Sequence, residues 1–263
     1  MALVPRAALL LGLVLPGITS CQLIEKDISF PEDMAGKNVI GISSGWAFVE
    51  AKVNLENGQG PLADPILGGS DSGSSTTTLD PVFGVGIKYL RYITNNWLVG
   101  VIYEYRIFDP QSTRPLNADV DIDSFGTNHF IIEGRYQFDP IDKARRFRPF
   151  VSVQLGIVPE VTADGTVSYE SIPALGIPAT QEQIRLNGSS FITLGFVAGG
   201  SYLIREALTL DFSIFYEYAI TPTEDVLTLN PYPNNPPLDQ PTTYDGELFE
   251  RGLYLTMGLS YVF

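Results

Sequence analysis

From residue 38 onward, large apolar side chains recur at every second position. The clearest run is 97–107, where Trp97, Val99, Val101, Tyr103, Tyr105 and Ile107 alternate with Leu98, Gly100, Ile102, Glu104 and Arg106. Strict alternation over this length is a strand signal, because a helix repeats its apolar stripe every three to four residues. Seven further runs keep the same period. They carry Ile40, Ile42, Trp46 and Phe48; Phe83, Val85, Ile87 and Tyr89; Phe130, Ile132, Tyr136 and Phe138; and Val151, Val153, Leu155 and Ile157. The last three carry Ile192, Leu194, Phe196 and Tyr202; Leu208, Leu210, Phe212, Ile214, Tyr216 and Tyr218; and Leu253, Leu255, Met257, Leu259, Tyr261 and Phe263. The pattern predicts eight strands. Their opposite faces hold glycine, serine, threonine and glutamine together with Lys88, Glu104, Arg106, His129, Glu133, Arg135, Asp211 and Glu217.

Volume decides which face points outward. The apolar faces hold 38 large side chains, and an eight-stranded barrel has an interior just wide enough for modest side chains or one small ligand. Turned outward, the same residues form a lipid-facing belt. The enclosed charges then form an interior network in which Lys88, Arg106 and Arg135 pair with Glu104, Glu133, Asp211 and Glu217. The connections alternate short (94–96, 139–148, 205–207) with long (54–80, 109–127, 159–189, 221–248), as outer-membrane barrels alternate periplasmic turns with extracellular loops. The expected fold is all-β: an eight-stranded antiparallel up-and-down transmembrane β-barrel with four long extracellular loops and three short periplasmic turns. Both termini are then periplasmic.

The first 20 residues, MALVPRAALLLGLVLPGITS, have one positive charge and a leucine-rich stretch ending in small and polar residues, the layout of a secretory signal. They are followed by Cys21, and Ile18-Thr19-Ser20-Cys21 resembles the lipobox of bacterial lipoproteins, which implies lipidation of Cys21. Gln22 is not the aspartate that would imply retention at the inner membrane. The expected organisation is a signal peptide over 1–20, a periplasmic tether over 21–37 and an outer-membrane barrel over 38–263. A single cysteine excludes a disulfide framework and a cysteine-based zinc site.

The stretches GVGIKYLRYITNNWLVGVIYEYRI, RPFVSVQLGIV, AGGSYLIREALTLDFSIFYEY and the ending LYLTMGLSYVF resemble the small eight-stranded OmpA-type outer-membrane β-barrel family of Gram-negative bacteria. The resemblance covers 38–263 and implies that Leu255, Met257, Leu259, Tyr261 and the terminal Phe263 form the signal read by the barrel assembly machinery. The sequence lacks the peptidoglycan-binding domain of OmpA itself, and no motif selects an OmpW-like member.

Charge sharpens the picture. Without the leader, 15 basic residues face 30 acidic ones, which argues against nucleic acid as a partner. The four long connections hold 17 acids and only Arg114 and Arg185 as bases, so all the excess negative charge is assigned to the extracellular side. A solvated acidic face is the default expectation; divalent cations or extracellular ligands are the alternative. Asp119, Asp121 and Asp123 alternate before the fourth strand as candidate metal ligands over the barrel mouth, yet they fail the EF-hand pattern. His129 is the lone histidine; a lipid A deacylase pattern would need a serine two residues on, where Ile131 stands. No cofactor motif appears. The expected role is structural or interactive at the cell surface, without catalysis, in contact with outer-membrane lipids. The rival expectations are a small conduit for hydrophobic or ionic solutes and a lipid-modifying enzyme.

Overall fold

A computed structural model describes residues 28–59, 73–78, 82–109, 118–169, 171, 179–221, 223–229 and 242–263. Its thirteen strands are β1 (Asn38–Gln59), β2 (Gly73–Thr78), β3 (Val82–Tyr92), β4 (Trp97–Phe108), β5 (Ala118–Ile122), β6 (Phe125–Gln137), β7 (Phe147–Val158), β8 (Val161–Tyr169), β9 (Thr180–Gly188), β10 (Phe191–Arg205), β11 (Leu208–Ala219), β12 (Thr223–Leu229) and β13 (Thr242–Val262). Eight of them, β1, β3, β4, β6, β7, β10, β11 and β13, pair antiparallel in that order, and β13 returns to β1 to close a barrel. Closure leaves no free edge around the wall.

The period-two pattern follows from this closure. Every outward position meets the exterior and every inward one meets the bore, so each strand alternates. None of the 38 apolar side chains of the eight runs is buried, and Val101 is 56% exposed, Ile42 62% and Phe196 58%. The belt is bounded by aromatic residues at both ends. At the end that carries the termini, Trp97, Tyr136 and Phe138 form an edge-to-face ladder with ring centroids 5.1 and 5.0 Å apart. At the opposite end Trp46 meets Phe83 at 6.3 Å. Along β4 the belt runs from Trp97 to Ile107; at about 3.3 Å per residue and a tilt of about 40°, that is roughly the 25 Å apolar band of a membrane barrel. The outward position 200 has no room for a side chain. A Cβ at Gly200 would meet the ring of Phe147, which stacks on Phe212 at 5.7 Å.

Three turns join strands at the terminal end. In 93–96, the Thr94 hydroxyl accepts hydrogen bonds from the Asn96 and Trp97 amides. In 138–146, one Asp142 oxygen accepts from the amides of Arg146 and Phe147, each at 2.7 Å. This side chain-to-backbone closure holds Arg145 in a left-handed conformation, φ 55°. The third turn places Ala207 at φ 66°.

The far end is more structured than a set of loops. β1 and β13 stay paired well past the belt, from Val39↔Val262 to Glu56↔Asp245. Where β3 ends, β2 takes over alongside β1, and where β11 ends, β12 takes over alongside β13. A four-stranded ribbon, β12-β13-β1-β2, therefore stands above the barrel. A separate three-stranded sheet, β5-β8-β9, is drawn from the second and third long connections.

Residues 28–37, the second part of the expected periplasmic tether, fold across the terminal end of the bore. Phe30 and Met34 are buried at 3% and 1% exposure in a cluster with Val39, Leu90, Tyr92, Leu98, Leu203 and Val262. Two turns grip this strap. The Phe30 amide donates to the Arg145 carbonyl at 2.9 Å, Arg146 Nε donates to the Ile28 carbonyl, and Asn95 Oδ1 accepts from the Met34 and Ala35 amides. The strap ends at Gly36, whose φ of 82° suits glycine and whose amide donates to the Tyr92 carbonyl.

Candidate functional site

Alternation sends the seven charged side chains of the expected network into the bore, along with His129 and Arg148, and their registers bring the seven together. Glu104 and Arg106 are two apart on β4, as are Glu133 and Arg135 on β6, so each pair shares the inner face of one strand. Arg106 donates from Nε and Nη2 to Glu104 Oε2 at 3.1 and 2.9 Å. Across the bore it forms a two-pronged pair with Glu217 of β11, at 2.9 and 2.8 Å, and Nη1 reaches the Tyr254 hydroxyl at 3.1 Å. The fork of a guanidinium matches a carboxylate in this way where an ammonium would not. Its plane lies 4.5 Å from the Tyr254 ring and 5.8 Å from that of Phe215.

A second group lies closer to the terminal end. Arg135 Nε donates to Glu133 Oε1 at 2.7 Å, and Gln154 Nε2 donates to Glu133 Oε2 at 3.3 Å. Lys88 Nζ donates to Asp211 Oδ2 at 2.5 Å, and the Ser260 hydroxyl donates to the same oxygen. Arg135 also lies 3.9 Å from the Phe150 ring. All seven residues are buried except Glu104, whose side chain is 14% exposed, toward space inside the bore.

The interior is not purely polar. Ala47, Phe108, Phe150, Val197, Phe215 and Tyr254 form a buried cluster drawn from six strands around the wall. Beyond it, Val158, Val161, Phe191 and Ala219 form another, with Phe125 packed against both. Together with the strap cluster, these place apolar layers on both sides of the charges. Tyr254, Phe215, Phe150 and Ile131 were absent from the sequence-derived inner face, although their parity with Thr256, Ser213, Ser152 and Glu133 placed them there.

His129 is fully buried. Its Nε2 lies 2.8 Å from the Thr127 hydroxyl, and its Nδ1, 3.9 Å from Glu217 Oε1, has no hydrogen-bond partner. A hydroxyl, an imidazole and a carboxylate in that sequence resemble a nucleophilic triad. Here both Glu217 oxygens are taken by Arg106, and the Thr127 hydroxyl belongs to a buried side chain, 4% exposed.

The aspartates chosen as metal candidates do not crown the bore as an extension of the fourth barrel strand. Asp119 and Asp121 lie in β5, which pairs with β8 in the separate sheet, and the Asp123 amide donates to the Asp164 carbonyl. Asp121 and Asp123 are exposed, and among the described residues no three His, Cys, Asp or Glu side chains converge as metal ligands. Cys21 lies outside the described residues. The side chains of Leu255, Met257, Leu259, Tyr261 and Phe263 all point outward, and the Phe263 amide and carbonyl both bond to Asn38.

In the outer sheet, Arg185 Nε donates to Asp164 Oδ1 at 2.7 Å. This hydrogen bond, with the charge of the guanidinium, holds the Asp164 carboxyl below its ordinary range. A depressed carboxylate contributes stability above its unfolded pKa and loses it as pH falls through the folded one. NMR titration of the Asp164 carboxyl is expected to show a lowered midpoint that returns to normal in Arg185→Ala. An unchanged midpoint in that variant would disprove the pairing in solution.

No family model and no curated protein sequence matches the chain. Among solved structures, the outer membrane protein OprG from Pseudomonas aeruginosa is 14% identical, with 88% of this chain and 97% of OprG covered and a TM-score of 0.50. Neisserial surface protein A (NspA) is 15% identical over 85% of this chain and 97% of its own, with a TM-score of 0.36. Ail, the attachment invasion locus protein of Yersinia pestis, is 14% identical over 88% and 100%, also with a TM-score of 0.36. What the chain has in common with OprG is the fold: a closed antiparallel β-barrel of the small outer-membrane type.

Proposed function

We propose that this protein is an outer-membrane barrel whose bore is a structural core rather than a passage, and which acts through the surface it presents outside the cell. The observation that carries this reading is the filling of the bore: paired charges lie between the strap cluster at one end and aromatic and aliphatic layers at the other. Such a lumen carries no continuous water column. The apolar belt between two aromatic girdles places the barrel in lipid. The long connections then face outward with their excess of acids, and the termini lie in the periplasm, where the outward row ending at Phe263 is offered to the assembly machinery. The ribbon and the β5-β8-β9 sheet give the external face a defined scaffold for contacts with a partner. Catalysis forms no part of this reading.

Reconstitution in planar bilayers tests it. The folded protein is expected to leave the membrane current flat, without unitary steps, across the usual voltage range. Reproducible stepwise currents from the purified, folded chain would overturn the sealed-core reading and favour a conduit.

A further inference from the structure

We infer that residues 28–37 are a latch on the closing seam of the barrel. The strap docks only after β1 has met β13, and once docked it keeps the two from parting at the terminal end. Such a latch works whatever the outer face binds. Around the wall the order is β1, β3, β4, β6, β7, β10, β11, β13, so the β6–β7 hairpin lies diametrically opposite the β13–β1 seam. The strap joins these two places. It leaves β1 at the corner made by Gly36. Its far end is tied to the β6–β7 turn, by the Phe30 amide to the Arg145 carbonyl at 2.9 Å and by Arg146 Nε to the Ile28 carbonyl at 3.1 Å. Between the two, Asn95 of the β3–β4 turn accepts from the Met34 and Ala35 amides. The strap is a crossbar over a full diameter.

Its bed is complete only in the closed barrel. Phe30 and Met34 pack with Val39 and Val262, which pair across the seam, and with Leu203 of β10. An open sheet would hold these lips apart, so the apolar contacts that seat the strap form after closure. Arg148 prepares the other half of the bed. This guanidinium is buried, and it donates from Nε to the Phe138 carbonyl at 2.9 Å and from Nη2 to the Asn95 carbonyl at 2.8 Å. It thereby ties the β6–β7 turn to the β3–β4 turn. The Phe30 ring lies 5.7 Å from it, within the range of a cation–π contact.

The seam needs a latch at this end and not at the other. Beyond the belt, β1 and β13 stay paired as far as Glu56 and Asp245. At the terminal end the ladder stops at Asn38, whose amide donates to the Phe263 carbonyl at 2.7 Å and whose carbonyl accepts from the Phe263 amide at 2.9 Å. Element ends open first. Here the start of β1 cannot swing away from β13 without undoing a crossbar fastened on the opposite wall. A contact absent from the folding transition state slows unfolding and leaves the folding rate unchanged.

The test is amide hydrogen exchange, followed by NMR on the full chain folded in detergent micelles. Phe30→Ala is expected to fold, as heat-modifiable gel mobility reports. Its Asn38 and Phe263 amides should exchange about tenfold faster than in the wild type. The Phe138 amide, bonded to the Pro149 carbonyl inside the anchoring hairpin, should change by no more than about twofold. Phe30→Leu, which keeps an apolar anchor, should exchange like the wild type. In urea, Phe30→Ala should unfold about tenfold faster and fold within about twofold of the wild-type rate. Seam amides that exchange as in the wild type, or accelerate no more than Phe138, would reduce the strap to a local cover and overturn the latch. So would slowed folding with unfolding unchanged, or a Phe30→Ala chain that cannot fold, since either would put docking before closure.

Discussion

Replacing Arg106 with methionine is expected to lower the unfolding free energy of the barrel by about 3–5 kcal/mol, the range for breaking a buried pair from one side. The guanidinium is 1% exposed, and it serves Glu104, Glu217 and the Tyr254 hydroxyl at once while lying against two rings. Methionine fills much of the same space but leaves two carboxylates facing each other across a bore closed to bulk water. Reversible urea unfolding in lipid vesicles, followed by the fluorescence of Trp46 and Trp97, would measure the loss. Adding Glu217→Gln to Arg106→Met should recover a large part of it, because a neutral amide does not carry the same desolvation cost. A loss below about 1 kcal/mol would mean that water reaches these groups freely, contrary to a filled core.

The second large effect is expected on the outer face. Val101→Arg should cost about 2–4 kcal/mol in a bilayer, the penalty for a cation near the midplane of a membrane barrel. Val101 lies on β4 midway between Trp97 and Tyr105 and is 56% exposed. Ile141, 69% exposed in the turn after β6, provides the control: Ile141→Arg should change stability by no more than about 0.5 kcal/mol. The contrast between two exposed positions isolates the surroundings from the substitution. Equal, small effects at both would place Val101 in water and remove the membrane reading.

The barrel could be read from the sequence because its two environments lie on opposite sides of every strand. Hydrocarbon selects one parity and an enclosed core selects the other. Pairs within one strand were legible for the same reason: Glu104 with Arg106, Glu133 with Arg135 and Thr127 with His129 are each two residues apart. Pairs across the bore were not. Lys88 meets Asp211 and Arg106 meets Glu217 only through the stagger of strands far apart in the chain, and parity carries no information about stagger. The strap was illegible for another reason. Ile28, Phe30 and Met34 have no period, and they are ordered by the mouth they cover and by turns more than sixty residues away. Of the strands above the belt, β2 is polar on both faces and shows no contrast, whereas β5 and β8 do alternate, Val120 against Asp119 and Asp121, and Val161, Ala163 and Val167 against Thr162, Asp164 and Thr166, but over short runs of small side chains inside long connections.

The pairing of β1 with β13 has a temporal meaning. Its register joins Val39 to Val262, so the longest seam of the barrel unites the first strand synthesised with the last. The preceding hairpins can zip up locally, but the final zipper must gather nearly the whole polypeptide before its first rung forms, and topology of this kind slows folding. Until then, both β1 and β13 present naked backbone. A nascent chain released short of Phe263 lacks the rung to Asn38 and stays an unclosed curtain, vulnerable to proteases and to its own kind.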